Sequence, residues 1–270
     1  MRNRTLYIVL TLTLLLAGCG EYNKVLKSTD AGYKYNKAKE YYLAEDYNKA
    51  VTIFSEIYPV IRGSEKSEEA LYLMANAYYG QGDNLMAGHY FNTLAKTFPN
   101  GPYVQEAYYM AAYCLYLDSP KPRLDQTPTK QAIEAFELYV NLFPKSENAE
   151  KALDYIDELR EKLVQKDFLN AKLYYDLGNY LGNNYKSAVI TAENILKEYP
   201  DTKYREDVAF LILKAKYAQA VNSVEKKLED RYRSTVDEYY SFVNDFPEST
   251  HLKEAEKMFE ESEKVLKRFN

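Results

Sequence analysis

Residues 75–91 of the chain read Ala75-Asn76-Ala77-Tyr78-Tyr79-Gly80-Gln81-Gly82-Asp83-Asn84-Leu85-Met86-Ala87-Gly88-His89-Tyr90-Phe91. The same pattern stands upstream as Ala38, Tyr41, Asp46-Tyr47, Ala50 and Phe54. In both places Ala to Tyr is three residues, Ala to Ala twelve, and Ala to Phe four. Helical spacing on each side of a Gly-Asp or Glu-Asp turn makes a tight helix pair. Small residues at these sites let two helices approach closely, and the aromatic fills the space towards the next pair. The pairs are punctuated five times by an aromatic and a proline, at Tyr58-Pro59, Phe98-Pro99, Phe143-Pro144, Tyr199-Pro200 and Phe246-Pro247. In three of these a hydroxyl follows the proline by two residues (Ser146, Thr202, Ser249) and a small residue by eight or nine (Ala152, Ala209, Ala255). Proline cannot continue a helix, and Ser or Thr can accept from the unpaired N–H groups that open the next one. The expectation is an all-α chain, a stack of helix pairs forming a solenoid.

The spacing resembles the tetratricopeptide repeat, and about five such units can be laid out, at approximately 30–60, 64–100, 103–145, 147–200 and 202–270. The third keeps Ala112, Ala132 and Phe136, but between its helices lies Leu117 to Pro128, whose three prolines rule out a helix through it. The fourth gives Ala171, Tyr174 and Gly178, a turn widened by Leu181-Gly182-Asn183-Asn184, then Tyr185 and Ala188. A polar helix from Glu147 to Val164 precedes it, with Leu153, Ile156, Leu159 and Leu163 on one side. The fifth unit is the most degenerate, with Ala215, Val236 and Tyr240 standing in. A last helix from about Thr250 to Phe269 carries the stripe Leu252, Ala255, Phe259, Ser262, Leu266 and Phe269 and reads as a polar-faced cap.

The start of the chain is separate. Met1-Arg2-Asn3-Arg4 is basic, Leu6 to Leu16 is apolar, and Leu16-Ala17-Gly18-Cys19 follows. The apolar run falls short of the roughly 20 residues a membrane-spanning helix needs, so residues 1–18 read as an export signal. The small residues before Cys19 resemble the bacterial lipobox, which implies cleavage after Gly18, acylation of Cys19 and a tether over residues 19–29. Gly20, in place of the Asp that retains lipoproteins at the inner membrane, points by the same resemblance to the outer membrane. Losing Arg2 and Arg4 from 35 basic residues leaves 33 against 40 acidic ones. No basic stripe marks a nucleic-acid surface. With Cys19 acylated, Cys114 is the one remaining cysteine, and it reads as a small buried apolar residue.

Tyrosine is abundant, at 29 residues, while tryptophan is absent. Five Tyr-Tyr pairs occur, at 41–42, 78–79, 108–109, 174–175 and 239–240. Adjacent helical residues point about 100° apart, so the two members of a pair cannot serve one packing contact. In units one, two and four the first tyrosine falls at the packing position and the second in the register that lines the concave groove of this repeat class. That register, traced back, gives Tyr35, Lys39 and Tyr42, then Tyr72, Asn76 and Tyr79, then Tyr109, Tyr113 and Tyr116. Two readings stand: the rings pack with their hydroxyls at the water's edge, or together they line a groove for an extended or helical peptide with aromatic side chains.

Catalysis has little to stand on. His89 and His251 lie in different units without ligand-spaced partners, and no phosphate-cradling glycine loop is present. No metal or cofactor is expected, and the chain reads as a scaffold rather than an enzyme. The lipobox-like start, the five repeat units, Phe98-Pro99-Asn100-Gly101-Pro102-Tyr103 and Leu196-Lys197-Glu198-Tyr199-Pro200-Asp201-Thr202 together resemble the BamD family, the lipoprotein of the outer-membrane β-barrel assembly machine. The resemblance implies a protein on the periplasmic face of the outer membrane, in a complex with other assembly lipoproteins. It implies that the C-terminal units hold the Omp85-type insertase and the N-terminal units receive terminal strand signals of unfolded barrel proteins. The widened turn at 181–184 departs from a minimal repeat, so no contact residues are carried over to that half. The alternative is a periplasmic repeat adaptor serving cell-wall synthesis or nutrient uptake.

Overall fold

The computed structural model describes residues 20–269. The export signal and Cys19 lie outside them. The described residues form helices and turns with no strand. The helices are α1 (20–27), α2 (Ala31–Leu43), α3 (Tyr47–Ile61), α4 (Ser67–Gly80), α5 (Asn84–Thr97), α6 (Val104–Leu117), α7 (Thr127–Leu142), α8 (Ala149–Leu177), α9 (Asn184–Glu198), α10 (Arg205–Val221), α11 (Leu228–Asp245) and α12 (Leu252–Leu266). The fold is all-α and solenoid-like. Each helix from α2 to α7 packs on the next in sequence, as do α9 to α12, and α2 also reaches α4 and α10 reaches α12.

The chain divides into two compact units. One takes the chain up to Ser119 together with Thr127–Ile156; the other takes Pro120–Gln126 and Asp157–Asn270. In the first, Ala38, Ala50, Phe54, Ala75, Ala87, Phe91, Ala112, Ala132 and Phe136 are all fully buried. In the second, Ala171, Ala188 and Ala215 are. These are the small and aromatic positions of the repeat pattern. Cys114 is a free thiol in the first core, and burial, with Asp118 adding, pushes its pKa up to about 12.

Turn chemistry sets the helix starts. The Asp30 carboxylate accepts from Tyr33 N (3.0 Å), Asp83 from Met86 N (3.1 Å) and the Asn183 side chain from Lys186 N (3.3 Å), each closing an orphan donor of the first turn. Asp46 sits at the same place before α3, but Lys49 holds its carboxylate instead. In the turn between α4 and α5, Gly82 takes φ 78°, a left-handed conformation, and Glu45 takes φ 58° at the matching place between α2 and α3.

Five details depart from the sequence reading. First, four helices stop just before the aromatic-proline step, whereas α3 runs through Pro59 to Ile61. At the other sites the residue before proline is pushed out of the helical region, with ψ 64° at Phe98, 68° at Tyr199 and 63° at Phe246. In α3, Ile61 packs on the core and Gly63, at φ 87°, supplies the stop. Second, α7 begins at Thr127, so Pro128 lies in its first turn, where a missing N–H costs nothing.

Third, the turn hydroxyls of Thr202 and Ser249 do not cap the following helices. Thr202 accepts from Tyr204 N and donates to Glu161 (3.0 Å), and Ser249 accepts from His251 N and donates to Glu206 (2.6 Å). Each therefore ties a turn back to the first helix of its own pair. In the turn after α5, Gly101 stands where the others carry a hydroxyl. A Cβ there would lie 1.8 Å from Glu68 Oε1, so the carboxylate fills the space. Fourth, Leu153 is 49% exposed, and Ala149, Ala152, Ile156, Leu159 and Leu163 form the buried side of α8. Leu153 sits one residue off that stripe, about 100° round the helix. Fifth, Tyr240 is 57% exposed, while Tyr232, Thr235 and Phe242 are buried on α11; on α12, Met258 joins Ala255, Ser262 and Leu266.

The alanine contacts make a direct prediction. Ala87→Leu should force α5 away from its neighbours and lower stability by about 1–3 kcal/mol, read as a lower urea midpoint at unchanged slope.

Candidate functional site

The candidate groove residues all fall in the first unit, on α2, α4 and α6. Tyr35 on α2 is only 3% exposed: its ring meets Phe54 edge-on (centroids 6.2 Å, 73°), and its hydroxyl donates to Glu69 on α4. Lys39, one turn further along α2, pairs with the other oxygen of the same carboxylate (2.6 Å), and the Lys66 ammonium lies 5.0 Å from the Tyr35 ring centroid. The Lys39 bond, then the Tyr35 bond, hold the Glu69 carboxyl below its ordinary pKa. Burial first, and Glu69 second, push the Tyr35 phenol well above the usual range.

The arrangement recurs one repeat later. Tyr72 on α4 donates to Glu106 on α6 (2.9 Å) and stacks on Tyr103 (4.1 Å, 14°). Burial, then Glu106, raise its phenol likewise. Asn76 turns its amide back to the Tyr72 carbonyl of its own helix (3.0 Å), so that donor is already engaged. Tyr42 leans on Tyr47 (5.9 Å), and burial raises its phenol as well.

On α6 the rings join into a continuous cluster. Tyr109 stacks on Tyr113 (6.1 Å, 4°) and touches Phe136 and Tyr139 of α7. Tyr113 continues to Tyr116 (5.8 Å, 15°) and meets Tyr79 of α4 at 6.4 Å. Tyr155 of α8 closes the cluster against Tyr113 (5.5 Å), Tyr116 (4.4 Å) and Phe136 (5.4 Å).

Two of the nine residues are therefore core rather than groove: Tyr35 and Tyr109, at 3% and 8% exposure. The reason is reach. The ring of each meets the partner helix of its own pair, where a fully buried phenylalanine (Phe54, Phe136) offers an edge. Lys39, Tyr42, Tyr72, Asn76, Tyr79, Tyr113 and Tyr116 stay half-buried. Tyr155 was missed because it sits in a polar stretch; its place one turn after Ala152 and one turn before Leu159 is the signal that it shares the apolar side. In the fourth unit the pair is reversed from expectation. Tyr174 is exposed, and Tyr175 packs on Tyr185 (5.9 Å) with Lys214 5.5 Å from its ring. The longer turn brings Tyr185 to the second tyrosine, and Gly178 clears its hydroxyl: a Cβ there would lie 2.8 Å from it.

The histidines are engaged in packing. His251 stacks on Phe210 (4.1 Å, 9°) beside Asp207 (3.7 Å), and His89 meets Tyr90 edge-on. Among the described residues no three His, Cys, Asp or Glu side chains converge as a metal site, and no helix is long and apolar enough to cross a membrane.

A family model described as YfiO, outer membrane lipoprotein, matches residues 28–182. Outer membrane protein assembly factor BamD of Caulobacter vibrioides is 23% identical over 182 residues, covering 67% of this chain and 58% of that protein. The chain thus spans less than two thirds of that relative's length. A putative outer membrane protein assembly factor BamD of Aquifex aeolicus is 23% identical over 231 residues, covering 84% of this chain and 74% of that protein. Among solved structures, the TPR domain of P58(IPK) aligns with 96% of this chain and 69% of that chain at 14% identity and a TM-score of 0.40.

The raised phenols carry a pH prediction. An acid whose pKa is raised on folding is held neutral by the fold, so its contribution is complete below the unfolded value near 10 and is lost as pH rises beyond it. Absorbance at 295 nm should show a tyrosine fraction ionising only together with loss of helical circular dichroism at alkaline pH. Smooth titration of all 29 phenols with the helices intact would contradict it.

Proposed function

The chain belongs to the YfiO, or BamD, family of outer membrane lipoproteins, and from that membership we propose that it is a non-enzymatic scaffold of the outer-membrane protein assembly machinery. In this reading Cys19 carries the lipid anchor and keeps the repeats on the periplasmic face of the outer membrane. The second unit holds an Omp85-type insertase within a complex of further assembly lipoproteins, and the first unit receives terminal strand signals of unfolded barrel proteins.

The observation that carries the reading is the half-buried tyrosine set Tyr42, Tyr72, Tyr79, Tyr113 and Tyr116 on three successive first helices of one unit. A phenol fixed along one edge by a neighbouring ring has little rotamer freedom left to lose, so binding an aromatic peptide over it costs little ordering entropy. Barrel strands alternate apolar and polar side chains, and an array of rings with polar edges suits such a segment. Lys39 is neutralised by Glu69, so the charge offered at the start of this face is a paired one rather than a bare cation.

Two outcomes test the proposal. The lipidated protein extracted in detergent should copurify an Omp85-type barrel; recovery of uptake channels or cell-wall enzymes without that barrel would refute the assembly role. Tyr42→Ala combined with Tyr79→Ala should weaken binding of aromatic-ended strand peptides roughly tenfold or more at unchanged helical content, the scale expected for two aromatic anchors. Unchanged affinity would remove the tyrosine face from the mechanism while leaving insertase binding untouched.

A further inference from the structure

The first turns of the described chain carry a cationic cleft that the scaffold role does not use. α1 presents Lys24 and Lys27 one turn apart, both exposed. Together with Gly20, Asn23, Ser28 and Tyr33 they line one open cleft of about 570 Å3, and among the described residues no carboxylate lines it. The nearby acids are committed elsewhere. Glu21 is held by Lys37 (2.9 Å), with Lys24 the weakest of the influences on its carboxyl; Asp30 caps α2 through Tyr33 N (3.0 Å), and Glu56 is taken by Lys34. Among the described residues Lys24 and Lys27 have no ion pair, whereas Lys34, Lys37, Lys39 and Lys49 of the same unit all have one. Two like charges a turn apart on a helix repel, and among the described residues no ion pair relieves them.

The helix that carries the cleft is anchored to the first unit. Val25 is fully buried, and the Leu26 carbonyl accepts from the buried Lys34 ammonium (2.8 Å), so α1 is fastened to the first unit rather than trailing from it. Gly20, on the cleft wall, directly follows Cys19 in the sequence.

We propose that Lys24 and Lys27 bind the phosphate of an anionic lipid headgroup, with the Tyr33 hydroxyl and Ser28 beside it, as a second membrane contact next to the acyl anchor. The proposal rests on the reading of Cys19 as the lipid-bearing residue. That reading puts the cleft at headgroup depth and makes a lipid, rather than a free phosphate, the occupant. An acyl chain and a basic cluster together hold a protein to a charged surface more firmly than either alone.

The test uses the chain from residue 19 with Cys19→Ser, so that no acyl group contributes, in sedimentation with phosphatidylethanolamine vesicles with and without phosphatidylglycerol. The wild-type chain should bind the phosphatidylglycerol vesicles, and Lys24→Gln with Lys27→Gln should weaken that binding by roughly tenfold or more, the scale for two basic residues at an anionic surface. The control Lys96→Gln with Lys145→Gln makes the same charge change on exposed lysines elsewhere in the unit and should leave binding unchanged. Equal losses in the two double variants, equal binding to both vesicle types, or equal competition by millimolar inorganic phosphate and by vesicles would each overturn the proposal. Labelling of the wild-type precursor with a palmitate analogue, against Cys19→Ser, tests the anchor separately. Its failure would dismiss the anchor while the vesicle result still judged the cleft.

Discussion

The structure depends on helix surfaces that come close because their contact residues are alanine. At each turn of the repeat an alanine with no exposed surface sits where a larger side chain would hold the backbones apart, at Ala38 and Ala50, Ala75 and Ala87, Ala112 and Ala132. The aromatic positions of the second helices, Phe54, Phe91 and Phe136, are fully buried as well. Phe54 meets Tyr35 of its own pair, and Phe136 meets Tyr109 of its own pair and Tyr155 of α8. Tyrosine packs on these rings while keeping a polar tip for the edge.

The polar tips are then used for register. Tyr35 to Glu69 and Tyr72 to Glu106 are the same bond made one repeat apart, each joining the first helix of one pair to the first helix of the next. The second unit makes its own version, Tyr217 to Glu261, while Thr202 and Ser249 fasten their turns to Glu161 and Glu206 of their own pairs. Apolar packing alone would tolerate sliding of one pair over another. A buried or half-buried hydroxyl that must find one carboxylate does not, because an unmet partner there carries the full desolvation penalty. Gly101 marks the exception: without a hydroxyl in that turn, the Glu68 carboxylate occupies its space and its Oε1 is buried with no hydrogen-bond partner among the described residues.

Much of this was legible in the residues, because periodicity and proline placement are local signals. The alanine and phenylalanine positions of the first three pairs, the buried Cys114 and the long insertion before α7 could be read from spacing alone. What escaped the reading depended on neighbours distant in sequence. Whether α3 stops at Pro59 is decided by Ile61 finding the core, and Tyr155 shares the ring cluster only because α6 and α7 meet it. The burial of Tyr35 and Tyr109 had the same origin. Their register marks a face of the helix, but the phenylalanine of the partner helix determines that the ring turns inward.

That inward turn bears on how a scaffold of this kind could present its tyrosines. Tyr109 is sealed into the core and stacks on Tyr113, which is half-buried and continues to Tyr116 and Tyr79. The accessible rings are thus supported from beneath by inaccessible ones. A ring held in this way cannot collapse into the protein when a guest is absent, since the space behind it is already filled. Its apolar face stays on offer, and its orientation is fixed before any encounter. Such preorganisation lowers the ordering cost of binding and leaves selectivity to the shape of the guest's own side chains. In the proposed role, the buried members of the register are then the foundation of the tyrosine face, and the half-buried ones its surface.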